Sequence, residues 1–251
     1  MTHQPPPFYE SDEAVAQYLL FHYGTPEQIC PLVPEARSAC GFPAACVNHT
    51  LRFTRFSRKF RALDLGCAVG RSTFELGRYF NEVIGLDFST RFIAAAHEMR
   101  QKRFITARVP REGSLTDEMR FELPTGLRPG SVHFGWGDAC DLNPDLGIFE
   151  FVLMANLIDR LPDPDRCLDR LPGLIRYGGW LAIISPYTWL EEYTPRDKWL
   201  VDEKRGTFGA LEDRLTTHFI LHQKLDIPFV LREHRRKYQL SVAEATIWQR
   251  R

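Results

Sequence analysis

The stretch Leu63-Asp64-Leu65-Gly66-Cys67-Ala68-Val69-Gly70-Arg71-Ser72 decides how the rest of the chain is read. An apolar strand, residues 61–65, hands over here to a helix that opens at Arg71. Gly66 and Gly70 let the turn pass close to a ligand with no Cβ in the way, and the helix beyond Gly70 presents free backbone N–H groups. A dinucleotide binder would carry G-x-G-x-x-G at this junction and seat a pyrophosphate on those groups. In this chain the second glycine of that pattern is Ala68, and the run opens with an acid, Asp64. D-x-G-x-x-x-G suits a ligand without phosphate. Asp64 is then expected to meet the ammonium of a methionine moiety, directly or through water.

Further motifs follow in order. Asp87 closes a second strand, 82–87, twenty-one residues beyond Gly66, where a carboxylate accepts the hydroxyls of a ribose. Phe88 beside it is expected to lie along an adenine. Nicotinamide enzymes share the ribose acid, so Asp87 alone separates nothing; Asp87 together with Asp64 points to S-adenosylmethionine (SAM). Gly137-Asp138-Ala139-Cys140-Asp141 ends a third strand. Asp138 is a candidate acceptor for the adenine amino group and the Ala139 N–H a donor to a ring nitrogen, with a plain turn acid as the alternative. Past the apolar run 149–155, Asn156 stands near where methyl donor and acceptor would meet. Gly178-Gly179-Trp180, before a fifth strand, completes the series.

Around these motifs strands and helices alternate. Strands are expected at 61–65, 82–87, 131–136, 149–155 and 180–184, with helices at 71–80, 91–103 and 167–176. Such alternation implies an α/β fold, a Rossmann-like class I methyltransferase with a mostly parallel seven-stranded sheet covered by helices. Segments 229–239 and 240–250 read as a C-terminal antiparallel hairpin. Residues 1–60 read as a Pro-rich tail and helical cap, and 61–251 as the cofactor-binding core. In the cap, Ser11 heads a helix whose stripe is Val15, Tyr18, Leu19 and His22, stopped by Gly24. A loop, 25–43, and a second helix, 47–60, follow. Two stretches break the rhythm: 105–130, read as a polar excursion, and the insert 186–209, which follows the fifth strand and would overhang the ligand crevice.

Composition narrows the function classes. Thirty-two basic residues balance thirty-two acidic ones, so no overall field favours nucleic acid. The cationic cluster 232–237 is expected on the solvated face of a late strand. No apolar run is long enough to span a membrane, and the first residues lack the basic and apolar regions of a secretory signal. The six cysteines form no C-x-x-C pair, so neither a zinc site nor a disulfide framework is expected. A reduced, cytoplasmic protein with a small-molecule substrate, no metal, no membrane and no nucleic-acid partner is the expectation.

With these residues in view, the chain resembles the C-terminal methyltransferase domain of the ovothiol-biosynthesis enzyme. That family N-methylates the imidazole of 5-thiohistidine (4-mercaptohistidine) to give ovothiol A. The resemblance is carried by Tyr9-Glu10-Ser11-Asp12, Tyr18-Leu19-Leu20-Phe21-His22-Tyr23-Gly24, residues 63–72, 84–89, 137–140 and 155–162, and Ser185-Pro186-Tyr187-Thr188-Trp189-Leu190-Glu191-Glu192-Tyr193-Thr194-Pro195. It implies an amino-acid acceptor, which needs a cation for its carboxylate and an anion for its ammonium. Arg160 and Arg71 are candidates for the first, and Asp159, Glu191 or Glu192 for the second; a mutual Asp159–Arg160 pair is the alternative. Tyr9, Tyr23, Tyr187 and Trp189 are candidate walls for the imidazole, with ordinary packing as the alternative. No catalytic base is assigned, and no oligomeric state. In the family this domain often follows an iron-dependent sulfoxide synthase that is absent here, so the chain is a standalone enzyme or an excised domain, paired in function with a separate synthase. Three readings compete: the same fold acting on another small thiol, amine or carboxylate, a nicotinamide oxidoreductase, and a cofactor-free scaffold.

Overall fold

A computed structural model describes residues 7–56 and 60–251. Five parallel strands form its centre: β1 (Arg61–Leu65), β2 (Glu82–Asp87), β5 (Val132–Trp136), β6 (Phe149–Ala155) and β7 (Ile175–Ser185). Two long antiparallel strands, β8 (Phe219–His234) and β9 (Lys237–Arg250), extend the sheet in the order β5-β2-β1-β6-β7-β9-β8. The chain leaves β1 for β2 on one side and returns as β6 on the other. The crevice at the carboxyl ends of β1 and β6 is therefore the topological switch point where such sheets bind ligands.

Period-2 alternation divides the core. Phe151, Leu153, Ala182 and Ile184 face the layer that holds the N-terminal cap, and Val152, Met154, Leu181 and Ile183 face α6 (Pro164–Leu174) and α7 (Gly206–Leu215). α4 (Arg71–Leu76) and α5 (Thr90–Lys102) connect the first strands. Ser11 caps α1 (Asp12–Tyr23) by accepting the Ala14 N–H, and the Gly24 N–H closes it on Leu20 O. More of α1 is buried than its expected stripe, because Ala14, Ala16, Leu20, Phe21 and Tyr23 are also enclosed.

Several boundaries and one whole unit differ from expectation. Residues 105–130 are no loop: β3 (Phe104–Glu112) and β4 (Leu115–Glu122) form a separate two-stranded sheet turning at Gly113. Its polar residues lie outward, while Ile105, Val109 and Phe121 pack inward against the cap. The terminal hairpin turns at Arg235-Arg236 rather than at 239–240, and β8 begins ten residues earlier than expected. The expected loop 25–43 holds the short α2 (Pro26–Ile29), and the expected helix 47–60 is α3 (Phe42–Leu51), started by Gly41 at φ +78° with Pro43 in its first turn; residues 57–59 lie outside those described. Helix 71–80 stops at Leu76. Arg232 is also misplaced by the solvated-face expectation. It is 2% exposed, and it donates to Gln28 O at 2.7 Å and Pro110 O at 3.4 Å, satisfying carbonyls in the cap and the small hairpin. No helix among the described residues is long and apolar enough to cross a membrane.

Candidate functional site

A cavity opens at the switch point, framed by the β1–α4 turn, the ends of β2, β5 and β6, and the cap. Gly66 at φ +73° lines its floor, and Gly70 at φ +91° turns the chain behind it. A Cβ on Gly70 would lie 2.6 Å from Phe134 Cζ, so the position admits no side chain. Between them Ala68 takes φ +46°, a left-handed conformation that costs a non-glycine residue about 1–2 kcal/mol. Its N–H is held by Asp87 Oδ2 at 2.8 Å, which ties the turn to β2 and offsets that strain. The other oxygen, Asp87 Oδ1, accepts the Ser89 N–H at 2.9 Å. Burial pushes the Asp87 carboxyl up to about 6, against the lowering effect of these backbone N–H groups.

Six of the expected cofactor residues line this cavity: Gly66, Asp87, Phe88, Asp138, Ala139 and Asn156. Asp138 Oδ1 accepts the Cys140 N–H at 2.8 Å, so the carboxylate both makes a turn and faces the cavity. Asn156 adopts φ +52°, and its buried Oδ1 has no hydrogen-bond partner among the described residues. An orphaned buried acceptor calls for a donor from outside the protein. Asp64 and Gly70 lie behind the wall. Asp64 is 1% exposed, and its Oδ2 accepts the hydroxyls of Ser72 and Thr73 at 2.7 Å each; Ser72, not Asp64, reaches the cavity. Burial pushes the Asp64 carboxyl to about 6.

Of the expected acceptor residues, Tyr9 and Arg160 line the cavity. The others lie elsewhere. Tyr23 donates its hydroxyl to Val69 O at 2.7 Å and so supports the turn from behind. Arg71 pairs with Glu75. Asp159 is buried, holding the Thr188 N–H at 2.8 Å and Arg160 Nη1 at 3.1 Å, so the mutual pair is present. In the insert, Tyr187 donates to Glu244 at 2.9 Å and Trp189 to Thr207 at 2.9 Å. Glu191 sits near Arg196 at the surface, and Glu192 is exposed. Tyr187 thus ties the insert to β9, Trp189 ties it to its own end at the start of α7, and Tyr193 packs on the cavity-lining Tyr9 and Arg160, while no residue of 186–209 itself lines the cavity.

The cap fills the place expected of the insert. Tyr18, Phe21 and His22 of α1, Phe42 of α3 and Phe92 of α5 all line the cavity. Tyr9 packs edge-on to Tyr18 at 6.0 Å and tilted by 31° against Tyr193 at 5.9 Å. Arg160 stands 4.8 Å over the Tyr193 ring. Its Nη1 bonds Asp159 and Thr188 O, while Nε and Nη2 bond no described residue. The aromatic density of residues 18–23 was visible in the sequence as a helix face. Nothing in it separated packing from lining.

A glycine turn whose Gly66 lines the cavity, a carboxylate at the ribose position and an orphaned acceptor at Asn156 fit SAM. A methyltransferase-domain family profile matches residues 63–181. Residues 63–181 carry a SAM-dependent methyltransferase domain of class I fold. The domain is 32% identical over 68 residues to a probable SAM-dependent methyltransferase of Saccharomyces cerevisiae, covering 27% of this chain and 23% of that protein. It is 31% identical over 145 residues to the magnesium-protoporphyrin O-methyltransferase of Rhodobacter capsulatus, covering 54% of this chain and 53% of that one. The chain therefore spans about half, or less, of the length of these curated relatives. The solved structure of N-methyltransferase NodS from Bradyrhizobium japonicum with S-adenosyl-L-homocysteine matches 96% of this chain and 98% of its own, at TM-score 0.55 and 13% identity. A SAM-dependent methyltransferase from Methanosarcina mazei covers 78% of this chain and 98% of its own, at TM-score 0.51 and 18% identity. At these identities the structural likeness is one of fold.

Proposed function

We propose that this chain uses SAM to N-methylate the imidazole of 5-thiohistidine, giving ovothiol A. The observation that carries the acceptor class is Arg160, a cavity-lining guanidinium with two nitrogens that bond no described residue. Such a group suits the carboxylate of an amino acid. Beside it Tyr9, Tyr18 and Phe92 make an aromatic wall suited to a planar ring. The family resemblance, which runs through Tyr9, Tyr18 and Tyr193, supplies the choice of thiohistidine.

When bound, SAM supplies an electrophilic methyl on a sulfonium. The residues of the chain have to orient a neutral imidazole nitrogen, itself a nucleophile, and keep water out. Orientation of this kind is worth up to about 7–11 kcal/mol in favourable cases. Arg160 anchors one end of the acceptor, and the aromatic wall fixes the plane of the ring. The reading also assigns the chain to the cytoplasm and to functional pairing with a separate sulfoxide synthase, which would supply the thiolated histidine.

The direct test incubates the protein with SAM and either thiohistidine or histidine and follows product mass. A methylated thiohistidine is expected. Its absence, with S-adenosylhomocysteine still binding by calorimetry, leaves the alternative of another small thiol, amine or carboxylate acceptor. Binding of NAD in place of S-adenosylhomocysteine would remove the methyltransferase reading altogether.

A further inference from the structure

His22 has a role that its place in the core does not account for. It lies on α1 among aromatic rings, 5.9 Å from Tyr18 and 5.6 Å from Phe21, yet it lines the cavity. Its Nδ1 accepts the backbone N–H of Arg71 at 3.4 Å. A ring nitrogen that accepts an N–H carries no proton, so in the neutral imidazole the hydrogen sits on Nε2. Burial, reinforced by the Arg71 charge, pushes this imidazole down to about 3, which keeps the ring neutral under ordinary conditions. Nε2–H is therefore a standing donor, and it makes no hydrogen bond to any described residue. A donor on a 7% exposed side chain that faces a cavity calls for an acceptor inside it.

The contact with Arg71 locates that acceptor. Arg71 immediately follows Gly70, so His22 stands at the end of the glycine turn, whereas Asp87 closes β2 and Asp138 lies two residues past the end of β5. Carboxylates suited to hydroxyls and an amino group thus lie on the strand side of the cavity, and an N–H donor lies on the cap side. In SAM the part remote from the adenosine is the methionine, whose carboxylate requires donors. We infer that His22, through Nε2–H, holds the methionine carboxylate of SAM. This rests on the cofactor assignment and is independent of which acceptor is methylated.

The test compares two ligands by calorimetry: S-adenosylhomocysteine and 5′-methylthioadenosine, which keeps the adenosyl thioether but lacks the amino-acid portion. His22→Phe is expected to weaken S-adenosylhomocysteine about tenfold or more, the loss of one hydrogen bond to a charged group, and to leave methylthioadenosine within about twofold. His22→Gln, whose amide nitrogen reaches the Nε2 position, should restore most of the loss. An equal loss for both ligands would make His22 a mere wall, and no loss for either would place the carboxylate elsewhere; both outcomes overturn the inference. Nitrogen-detected NMR of the wild-type imidazole gives a readout that requires no variant to fold. The Nε2–H resonance should move with S-adenosylhomocysteine and stay with methylthioadenosine, and an unmoved resonance overturns the assignment. If the wild type binds neither ligand, the cofactor assignment itself fails.

Discussion

Both oxygens of Asp87 accept backbone N–H groups, from Ala68 and Ser89, yet burial still lifts the carboxyl to about 6. Each oxygen retains a lone pair for a ribose hydroxyl. Two consequences of opposite sign follow. An unfolded aspartate titrates near 4, so between pH 7 and about 4 the folded chain holds the extra proton, and acidification through this window adds stability at this site. Thermal melts of wild type and Asp87→Asn should diverge there, with the wild type gaining relative to the variant as pH falls from 7 to 5. Affinity for S-adenosylhomocysteine should run the other way, falling below pH 6 as the acceptor is protonated. Asp87→Ala should weaken that affinity by ~1–3 kcal/mol through the lost charge-assisted bonds, and unchanged affinity would move the ribose site. At Arg160 the expected pattern differs: on the proposed acceptor, thiohistidine, Arg160→Leu should raise KM about tenfold or more, the weight of a bond to a charged group, while S-adenosylhomocysteine binding stays level. A parallel loss of both would assign Arg160 to the cofactor.

The elements show how polar tips organise segments that pattern alone leaves ambiguous. The insert 186–209 reads as a flap because it follows a parallel strand and is rich in aromatics. Its aromatics instead act through their polar ends: Trp189 on Thr207, Trp199 on Thr194 O, Tyr187 on Glu244. Trp189→Phe should therefore cost about 1 kcal/mol of stability, a fall in Tm of about 2–4 °C for a chain of this size, with turnover unchanged. A collapse of turnover at unaltered Tm would restore the flap. The parallel strands were legible because β6 is apolar at every position but Glu150, with every residue but its last buried. The hairpin of β3 and β4 was not, since little of it is buried: Phe121 is the one fully enclosed residue of β4. Pro228 likewise hid the true length of β8.

Across the whole molecule the cap, the small hairpin and the sheet edge close on one another through Arg232, which bonds Gln28 O and Pro110 O from β8. Removing it leaves two carbonyls without their partner, at about 1–3 kcal/mol for each one left buried and unsatisfied. Arg232→Met should lower the denaturation midpoint accordingly, and because Leu231 beside it lines the cavity, S-adenosylhomocysteine affinity should fall with it. An unshifted midpoint would mean that solvent reaches those carbonyls. The cap supplies Leu19, Leu20, Phe21, Ile29, Phe42 and Val47 to the same core as Phe151 and Ile184, so cap and core form a single packed body.

By itself the sequence determined the strand–turn–helix at 61–76, the order of the acids at the strand ends and the parallel centre of the sheet. These depend on glycine placement, apolar runs and short spacings, which are local properties. Only the tertiary structure decided which charged and aromatic side chains face the ligand. It put Asp64 behind Ser72, gave Tyr23 to Val69, committed Arg71 to Glu75, and brought Tyr18 and His22 to the cavity. The direction of a side chain is set by its partners, and at this site decisive ones come from elsewhere in the chain: Val69 O lies 46 residues from Tyr23 and the Arg71 N–H 49 from His22.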